Sequence, residues 1–205
     1  MTKRLLLARH AEVDPQYAGL FLGSTDVPLS GRGLRQAAAL AAALRARHFD
    51  TLCVSPLRRA VQTAEPLAGN HHVDPDLREV DFGRWEGRSF AEIVRAEVDD
   101  QGLIDGWRTF APDFSFPDGE SLRGFLARVA RVTDRLAALP TDTVLAITHG
   151  GVIRAAICHL LGLEAKNYLL FDVRHASVTT IDLIDGRGVL IGLNDTHHLE
   201  VCDLS

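Results

Sequence analysis

The sequence lacks the features that mark disulfide-linked, zinc-binding and membrane-spanning proteins. Its 205 residues include only three cysteines, an odd number, and no Cys-x-x-Cys pair of the kind found in zinc and redox sites. Cys53 and Cys158 lie in apolar runs, which predicts buried free thiols, and Cys202 is distant from both. No apolar run approaches the ~20 residues that span a bilayer.

A basic excess and a secretion signal are also missing. Lysine and arginine number 22 against 27 acidic residues, a formal net charge of -5, whereas proteins that bind duplex nucleic acid usually carry a basic excess. The apolar run after Lys3 and Arg4 is too short for a signal peptide, and Arg9 interrupts it. We therefore expect a cytoplasmic protein that binds neither nucleic acid nor membrane.

The sequence shows no internal repeat, low-complexity segment or linker, and its length suits a single domain over residues 1–205. Short apolar runs predict buried strands, and apolar residues at helical spacing predict helices. The strands are expected at 4–8, 51–54 and 143–147, and the helices at 30–47, 57–67, 122–136 and 152–161. This alternation predicts an α/β protein, a three-layer α/β/α sandwich around a mostly parallel sheet.

Two regions depart from that regular pattern. The apolar runs at 177–184 and 188–193, joined by Asp-Gly-Arg, predict a hairpin that adds an antiparallel element at the sheet edge. Residues 80–118 predict an excursion over one end of the sheet, weakly helical at 89–97 and then a long loop with one helical turn near Trp107. A loop of that length in a compact domain is usually functional.

Two histidines follow predicted strands directly. His10 follows Arg9 at the end of the predicted strand that contains residues 5–8. His149 follows the predicted strand that contains residues 144–147, and it precedes Gly150-Gly151 and a predicted helix. Ligands of open α/β sheets bind at the C-terminal ends of strands, and the N–H groups of a helix start favour an anion. One such histidine is more often structural than catalytic, but this pair, with its arginine and glycines, indicates an anion site.

Two arginines and three acids add to the pattern. Arg58 and Arg59 follow the strand at 51–54 in the first turn of a helix, where the macrodipole disfavours cations, so an anionic partner is indicated. We expect Arg58 to face the anion and Arg59 to be solvated. Hydrolysis of a phosphate ester needs an acid to protonate the leaving group. Glu79, Asp81 and Glu86 are all candidates, and local chemistry does not choose among them.

These stretches together resemble the histidine phosphatase superfamily, the phosphoglycerate mutase-like group. The resemblance covers nearly the whole chain, and it is carried in order by several short motifs. They are Leu-Ala-Arg-His-Ala-Glu at 7–12, the glycine-rich 23–37, Ser-Pro-Leu-Arg-Arg-Ala at 55–60, Leu-Arg-Glu at 77–79, Phe-Gly-Arg-Trp-Glu-Gly at 82–87, Asp-Gly-Glu-Ser at 118–121 and Thr-His-Gly-Gly at 148–151.

The resemblance implies a phosphoglycerate mutase-like fold and a metal-independent phosphatase without a cofactor. It implies that His10 accepts the phosphoryl group as a phosphohistidine and that Glu79 protonates the leaving group and later activates water. A neutral His10, with its second ring nitrogen on a backbone carbonyl, would suit this role. The implied phosphate pocket contains Arg9, Arg58, Gly150 and His149, the last as a charged or hydrogen-bonding clamp.

Two positions depart from the family pattern. Ala11 follows the nucleophile where the family usually has glycine, which predicts a small local shift. Gln16 stands where the family often has an asparagine that contacts phosphate, and its longer side chain can make the same kind of contact.

The chain is shorter than the dedicated mutases, and its excursion mixes arginines with many acids, so we expect hydrolysis of a small-molecule phosphate monoester. Phe-Gly-x-Trp-Glu and Pro-Asp-Gly-Glu resemble the α-ribazole phosphatases of cobalamin assembly, which makes α-ribazole 5′-phosphate one candidate substrate. Broad-specificity phosphatase and phosphoglycerate mutase are the alternatives. At least half of the excursion's aromatic rings are expected to anchor it, and the others to contact an apolar leaving group. The rings belong to Phe82, Trp85, Trp107, Phe110, Phe114 and Phe116.

Two readings from other classes remain. A metal hydrolase built on His10, His149, His197 and His198 lacks any His-x-x-x-His or Asp-x-His ligand spacing. A non-catalytic protein that binds a phosphorylated ligand would not need the full set of catalytic residues. The sequence leaves open whether the protein is a monomer or a homodimer.

Overall fold

The computed structural model describes residues 2–45, 47–67, 69–96 and 101–200, so Cys202 lies outside the described residues. One six-stranded sheet forms its centre, with the order β3-β2-β4-β1-β5-β6. The strands are β1 (Thr2–Arg9), β2 (Thr51–Val54), β3 (His72–Val73), β4 (Thr143–Thr148), β5 (Val178–Ile184) and β6 (Arg187–Asp195). The first four are parallel and the last two antiparallel, which confirms the predicted mostly parallel sheet with an antiparallel edge.

Helices cover both faces of the sheet. They are α1 (Gly31–Arg45), α2 (Arg58–Ala64), α3 (Phe90–Ala96), α4 (Gln101–Arg108), α5 (Leu122–Ala137) and α6 (Gly150–Leu161). Alternate residues of β1 point to opposite faces, so Leu6 packs with the apolar sides of α1 and α2 while Leu5 packs with α5 and α6. The α/β/α layering predicted from the strand and helix alternation is confirmed.

Local signals in the sequence fix the ends of several elements. The hydroxyls of Ser30 and Ser121 accept hydrogen bonds from Gly33 N and Gly124 N, so each serine caps the start of its helix. Gly162 ends α6 with a φ of 65°, a left-handed conformation that glycine adopts without steric cost. Asp185 and Gly186 both have positive φ in the β5–β6 turn, as a two-residue hairpin requires.

The predicted loop at 98–119 is wrong in one respect, because it contains the two-turn helix α4 rather than a single turn near Trp107. Two glycines within the helix, Gly102 and Gly106, weaken its helical propensity and conceal it in the sequence. Ile104 is buried in the main apolar cluster, so tertiary packing stabilises the helix. No helix among the described residues is long and apolar enough to cross a membrane.

Candidate active site

The predicted anion site lies where β1, β2 and β4 end and the antiparallel β5 begins. A cavity of about 340 Å³ opens there, here called the His10 cavity. Its charged and histidine side chains come from four separate parts of the sequence, and three aromatic side chains, Tyr17, Phe21 and Phe82, complete the wall. The residues that matter below are Arg9, His10, Tyr17, Arg59, Glu79, Phe82 and His175.

His10 is held rigidly at the floor of this cavity. Its backbone N donates to Thr148 O at 2.8 Å, and its backbone O accepts from Ala176 N at 3.1 Å. The side chain is only 5% exposed, and Nδ1 lies 2.8 Å from Ala11 O. A carbonyl oxygen only accepts, so Nδ1 carries the proton and Nε2 keeps its lone pair.

The protonation state of His10 follows from its surroundings. Burial lowers the pKa of His10 well below its ordinary value, and the neighbouring His149, Arg9, Arg59 and His175 lower it further, because a second cation beside them is unfavourable. The ring is therefore neutral near pH 7. An unprotonated Nε2 in a cationic cavity is the form of imidazole that can attack phosphorus.

Arg9 forms one wall of the cavity. One Nη donates to Val173 O at 2.6 Å and the other to His175 Nε2 at 3.0 Å. Burial lowers the pKa of Arg9 to about 10, so it still carries its charge at pH 7. Its Nε is buried and has no hydrogen-bond partner among the described residues, which leaves one N–H available to a ligand oxygen.

The structure corrects the expectation for the two arginines of α2. Arg59 is 1% exposed and lines the His10 cavity, whereas Arg58 is exposed and lies outside it. The backbone N of Arg58 donates to Asp26 Oδ1 at 2.7 Å. The guanidinium of Arg59 donates to Thr25 O at 2.8 Å and to Gly23 O at 2.7 Å. Arg59, not Arg58, is the second arginine of the pocket.

His149 is fully buried at the start of α6. Its Nδ1 accepts a hydrogen bond from Arg59 Nε at 3.3 Å, and its Nε2 lies 2.7 Å from Ser55 Oγ. Burial and the neighbouring arginines lower the pKa of His149 well below its ordinary value. Both ring nitrogens thus contact protein groups, and His149 lines neither the His10 cavity nor the aromatic cavity described below, contrary to its expected place as a clamp in the phosphate pocket.

Glu79 faces the cavity with its carboxylate held by backbone amides. Oε2 accepts from Gly151 N at 2.9 Å and Oε1 from Val80 N at 3.0 Å. A Cβ on Gly151 would lie 2.2 Å from Oε1, so only glycine lets the carboxylate reach the α6 N-terminus. Gly150 lines the neighbouring aromatic cavity described below, and a Cβ on Gly150 would lie 3.5 Å from the Arg9 guanidinium.

The other two candidate acids have different tasks. Glu86 accepts hydrogen bonds from the backbone N atoms of Gly23, Ser24 and Thr25, and so fixes the loop whose carbonyls bind Arg59. Asp81 accepts from Gly83 N at 2.9 Å and does not line the His10 cavity. Of the three acids that the local sequence left as candidates, only Glu79 lines the His10 cavity.

A buried arginine on α5 holds the backbone around Glu79. Arg128 forms a bidentate pair with Glu120, at 2.9 and 2.6 Å, within the motif at 118–121. The same guanidinium donates to the carbonyls of Asp76, Arg78 and Glu79. The Asp-Gly-Glu-Ser motif therefore does not line the His10 cavity. It positions Glu79 indirectly, because Glu120 holds Arg128 and Arg128 holds the 76–79 backbone.

The two departures from the family motif have different outcomes. Ala11 is fully buried in the apolar cluster beneath α1 and α2, and its φ is not in the left-handed region, so its methyl needs no strained backbone. Gln16 is exposed and does not line the His10 cavity, contrary to its expected phosphate contact. The short 3₁₀ turn at Pro15–Tyr17 instead directs Tyr17 toward the cavity.

His175 is the site residue that sequence reasoning missed. Its ring centroid lies 5.3 Å from that of His10, and burial together with nearby arginines lowers its pKa to about 3. It precedes β5, and an antiparallel strand begins at the edge where parallel strands end. The predicted hairpin could therefore have flagged this histidine.

The described residues contain no group of three His, Cys, Asp or Glu side chains that could hold a metal ion. The histidines of the metal-hydrolase reading are not assembled around one point. His197 pairs with Glu200 at 3.2 Å, and His198 lies 3.0 Å from Ala176 O.

A second cavity of about 190 Å³ adjoins the first at Glu79, and we call it the aromatic cavity. Its wall combines rings from the excursion with α6 and the segment after it, and the residues used below are Phe82, Trp107, Phe110, Phe116, Arg154 and Tyr168. Trp85, Phe114 and Phe116 are buried, as expected of anchoring rings. Trp107 and Phe110 are partly exposed at the cavity. The prediction that such rings contact an apolar leaving group stays a prediction.

Taken together, the fold and this edge of the sheet define an α/β protein with a histidine-centred, arginine-lined site for an anion. The sequence matches the model of the histidine phosphatase superfamily (branch 1) over residues 5–196, and the chain belongs to that superfamily. The family relation supports a phosphatase.

Similar proteins include several that are named as phosphatases. The adenosylcobalamin/α-ribazole phosphatase of Salmonella typhimurium is 32% identical over 197 residues, which cover 93% of this chain and 96% of that one. Phosphoserine phosphatase 1 of Hydrogenobacter thermophilus is 31% identical over 201 residues, covering 96% and 94%. The crystal structure of the α-ribazole phosphatase from Shigella flexneri matches with a TM-score of 0.83 and 30% identity, covering 94% and 96%.

Proposed function

We propose that this protein hydrolyses phosphate monoesters through a phosphohistidine formed on His10. The observation that carries the proposal is the hydrogen bond from His10 Nδ1 to Ala11 O, which leaves a neutral Nε2 beside Arg9, Arg59 and Glu79. A protein that only bound phosphorylated ligands would have no need for this tautomer. Turnover of a phosphate ester therefore distinguishes the two functions.

In the first step, the Nε2 lone pair of His10 attacks phosphorus and the bond from phosphorus to the leaving oxygen breaks. Glu79, in its protonated form, gives its proton to that oxygen. Arg9 and Arg59 stabilise the charge on the other phosphoryl oxygens, so electrostatics and positioning account for most of the catalysis. His149 keeps Arg59 in place through its contact with Arg59 Nε.

In the second step, the Glu79 carboxylate accepts a proton from water while the water oxygen attacks phosphorus. The bond between phosphorus and Nε2 breaks, inorganic phosphate leaves, and neutral His10 and protonated Glu79 are restored. The two arginines supply positive charge that a metal ion supplies in many other phosphatases. We accordingly propose that the reaction is metal-independent, and activity that survives extensive treatment with EDTA supports this point.

The aromatic cavity suits a leaving group with a flat apolar part. Trp107, Phe110 and Tyr168 present ring faces and edges on the far side of Glu79, where the departing alcohol would lie. We therefore favour α-ribazole 5′-phosphate or a similar aryl or benzimidazole ester. The relatives from Salmonella and Shigella, whose names specify α-ribazole, support this choice.

A second candidate follows from one cation in the same cavity. Arg154 lies over the Tyr168 ring at 5.8 Å and donates through Nε to Phe171 O, and it has no carboxylate partner among the described residues. A guanidinium without a carboxylate partner among the described residues suits a substrate that carries its own carboxylate, such as phosphoserine or 3-phosphoglycerate. The phosphoserine phosphatase relative supports this alternative.

A panel of phosphomonoesters tests the function and its substrate class together. We expect hydrolysis of p-nitrophenyl phosphate, loss of that activity in His10→Ala, and an unchanged circular dichroism spectrum for the variant. The ranking of α-ribazole 5′-phosphate against phosphoserine and 3-phosphoglycerate decides between the two candidates. Release of phosphate, without transfer to a second acceptor position, distinguishes hydrolysis from mutase chemistry.

Because the free thiols of Cys53 and Cys158 suit a reducing compartment, we also propose a cytoplasmic location.

A further inference from the structure

The segment at 173–177, which leads into β5, holds Arg9 and His10 at their main chain. The backbone N of Arg9 donates to Ser177 O at 3.0 Å. The backbone N of Ala176 donates to His10 O at 3.1 Å. The end of β1 and the residue after it are therefore fixed by one and the same segment.

Two further contacts from this segment orient the guanidinium of Arg9. One Nη donates to Val173 O at 2.6 Å, and the other Nη donates to His175 Nε2 at 3.0 Å. Anchors on two Nη atoms fix the plane of a guanidinium, whereas a single anchor lets the plane turn about that contact. These contacts use two of its five N–H groups, and Nε–H has no hydrogen-bond partner among the described residues. Arg9 is thus presented to a ligand in a fixed orientation.

His175 can be the acceptor for Arg9 only in its neutral form. Because an arginine side chain only donates, Nε2 of His175 carries a lone pair and Nδ1 carries the proton. Burial, together with the charges of Arg9 and Arg59, lowers the pKa of His175 to about 3, so the ring is neutral at pH 7. A protonated ring would have no lone pair for Arg9 and would place a second positive charge beside it.

The backbone next to His175 is strained. Ala176 has a φ of 56°, in the left-handed region that residues with a Cβ adopt only at a conformational cost. The turn is held in place because Ala176 O accepts from His198 Nε2 at 3.0 Å and the methyl group is fully buried in the apolar cluster beneath α1 and α2. The strained residue separates His175, which contacts the Arg9 side chain, from Ser177, which contacts the Arg9 main chain. Backbone strain of this kind concentrates at functional sites.

We propose that His175 is a positioning residue for the reaction, whose Nε2 fixes the guanidinium of Arg9 as a ligand of the phosphoryl oxygens. This role rests on the proposed function, since it requires that Arg9 binds the transferring group. His175 itself takes no part in proton or phosphoryl transfer. An arginine that turns about its one remaining anchor at Val173 O would lose the alignment on which the rate depends.

A double-mutant cycle between His175 and Arg9 tests this role. His175→Leu removes the acceptor and should lower kcat/KM for p-nitrophenyl phosphate by about tenfold to a hundredfold, the effect of a displaced catalytic group. His175→Gln keeps an acceptor and should recover most of that loss. In an Arg9→Ala background, His175→Leu should change kcat/KM by less than about twofold, because the group that it positions is gone. Arg174→Leu, at the exposed neighbour, is the matched control and should behave like the natural protein.

Nitrogen-15 NMR of the natural protein provides a second test, which holds even if His175→Leu does not fold. The ring of His175, assigned by comparison with His175→Gln, should be neutral at pH 7 and protonated at Nδ1. A ring protonated at Nε2, equal losses in His175→Gln and His175→Leu, or an undiminished effect of His175→Leu in the Arg9→Ala background would overturn the proposal.

The proposed function fails separately, if the natural protein does not hydrolyse p-nitrophenyl phosphate at all. The affinity for inorganic phosphate, measured by isothermal titration calorimetry, then replaces kcat/KM in the same cycle. Weaker phosphate binding in His175→Leu, recovered in His175→Gln and absent as an effect in the Arg9→Ala background, supports the positioning of Arg9. Unchanged phosphate binding in His175→Leu overturns it.

Discussion

The Nε–H of Arg59 donates to Nδ1 of His149 across 3.3 Å, deep beneath the His10 cavity. This contact joins the residue that follows β2 to the residue that follows β4. It also selects the tautomer of His149 whose Nε2–H can donate to Ser55 Oγ. Arg59, which the sequence predicted to be solvated, and His149, which it predicted to contact phosphate, are thus one coupled unit.

Replacing Arg58 and Arg59 separately by alanine tests which of the two arginines belongs to the phosphate pocket. Arg59→Ala should lower kcat/KM for p-nitrophenyl phosphate by about 10²–10³-fold, the effect of removing one preorganised donor to a developing charge. Arg58→Ala, one residue away and exposed, should change kcat/KM by less than about twofold. Steady-state kinetics on both variants provide the measurement. Equal losses would contradict the assignment of Arg59 to the pocket.

The variant Arg59→Ala also leaves the carbonyls of Thr25 and Gly23 without their donor, so its stability must be followed separately. Arg59→Lys keeps a positive charge at the same place but loses the fork of N–H groups. We expect it to recover part of the activity, and thermal unfolding of all three variants controls for simple misfolding.

The same pair of residues shows what the sequence can and cannot reveal. The strand at 51–54 and the helix after it are readable from apolar periodicity. Which arginine faces inward depends on the residue at which α2 begins, because neighbouring helical residues point about 100° apart. The backbone contact from Arg58 N to Asp26 that sets this start comes from a loop distant in sequence.

The nucleophile and the strands that carry the site were predictable, because each is marked by residues close in sequence. Tyr17 was not predictable, since it reaches the site only through the turn at 15–17, and His175 could be found only from the predicted hairpin, because the pairing of β5 with β1 brings it to the site. Helix α4 was not predicted, because its glycines lower the helical propensity of the segment. The burial of Ile104, which stabilises the helix, depends on tertiary packing and is not visible in the local sequence.

The role of Glu79 predicts a dependence on the leaving group. Glu79→Gln should lower kcat/KM for an alkyl phosphate such as glycerol phosphate by about 10²-fold or more, because a poor alkoxide must be protonated as it leaves. The loss for p-nitrophenyl phosphate should be much smaller, since its leaving group needs little protonation. Asp81→Asn, which keeps the acceptor for Gly83 N, is the matched control and should behave like the natural protein with both esters. Equal losses for the two esters would point to another acid.

Three histidines of the site, the buried His10 and His149 and the half-buried His175, predict that acidification destabilises the fold. Burial lowers the pKa values of His10, His149 and His175, the last to about 3, so all three stay neutral in the native state. The unfolded chain gains protons as pH falls below about 6.5, and stability is lost. Each histidine contributes a slope of up to about 1.4 kcal/mol per pH unit between pH 6 and 5.

Urea unfolding at a series of pH values measures that slope. His175→Gln keeps an acceptor for Arg9 and removes one titrating group, so its slope should be shallower by about 1.4 kcal/mol per pH unit or less. At pH 7 the folded and unfolded histidines differ little in protonation, so this contribution is fully present there. An unaltered slope in His175→Gln would show that the native imidazole titrates normally.

The aromatic cavity predicts opposite effects of two substitutions on substrate choice. Trp107→Leu should reduce kcat/KM for 1-naphthyl phosphate about threefold to tenfold, the usual loss of an aromatic contact, and should leave phosphoserine nearly unaffected. Arg154→Gln should do the reverse, with about a tenfold loss or more for phosphoserine. Each variant is the control for the other. If neither variant changes the ratio of the two substrates, leaving groups do not enter this cavity.

Rapid chemical quench during turnover tests the central claim, that His10 carries the phosphoryl group. Milliseconds after mixing with p-nitrophenyl phosphate, the protein should be quenched in alkali, which preserves phosphohistidine, and its peptides analysed by mass spectrometry. We predict one added phosphoryl group on the peptide that contains His10, formed as fast as p-nitrophenol is released. Turnover without any modification of His10, or a phosphoryl group found on another side chain, would contradict the account.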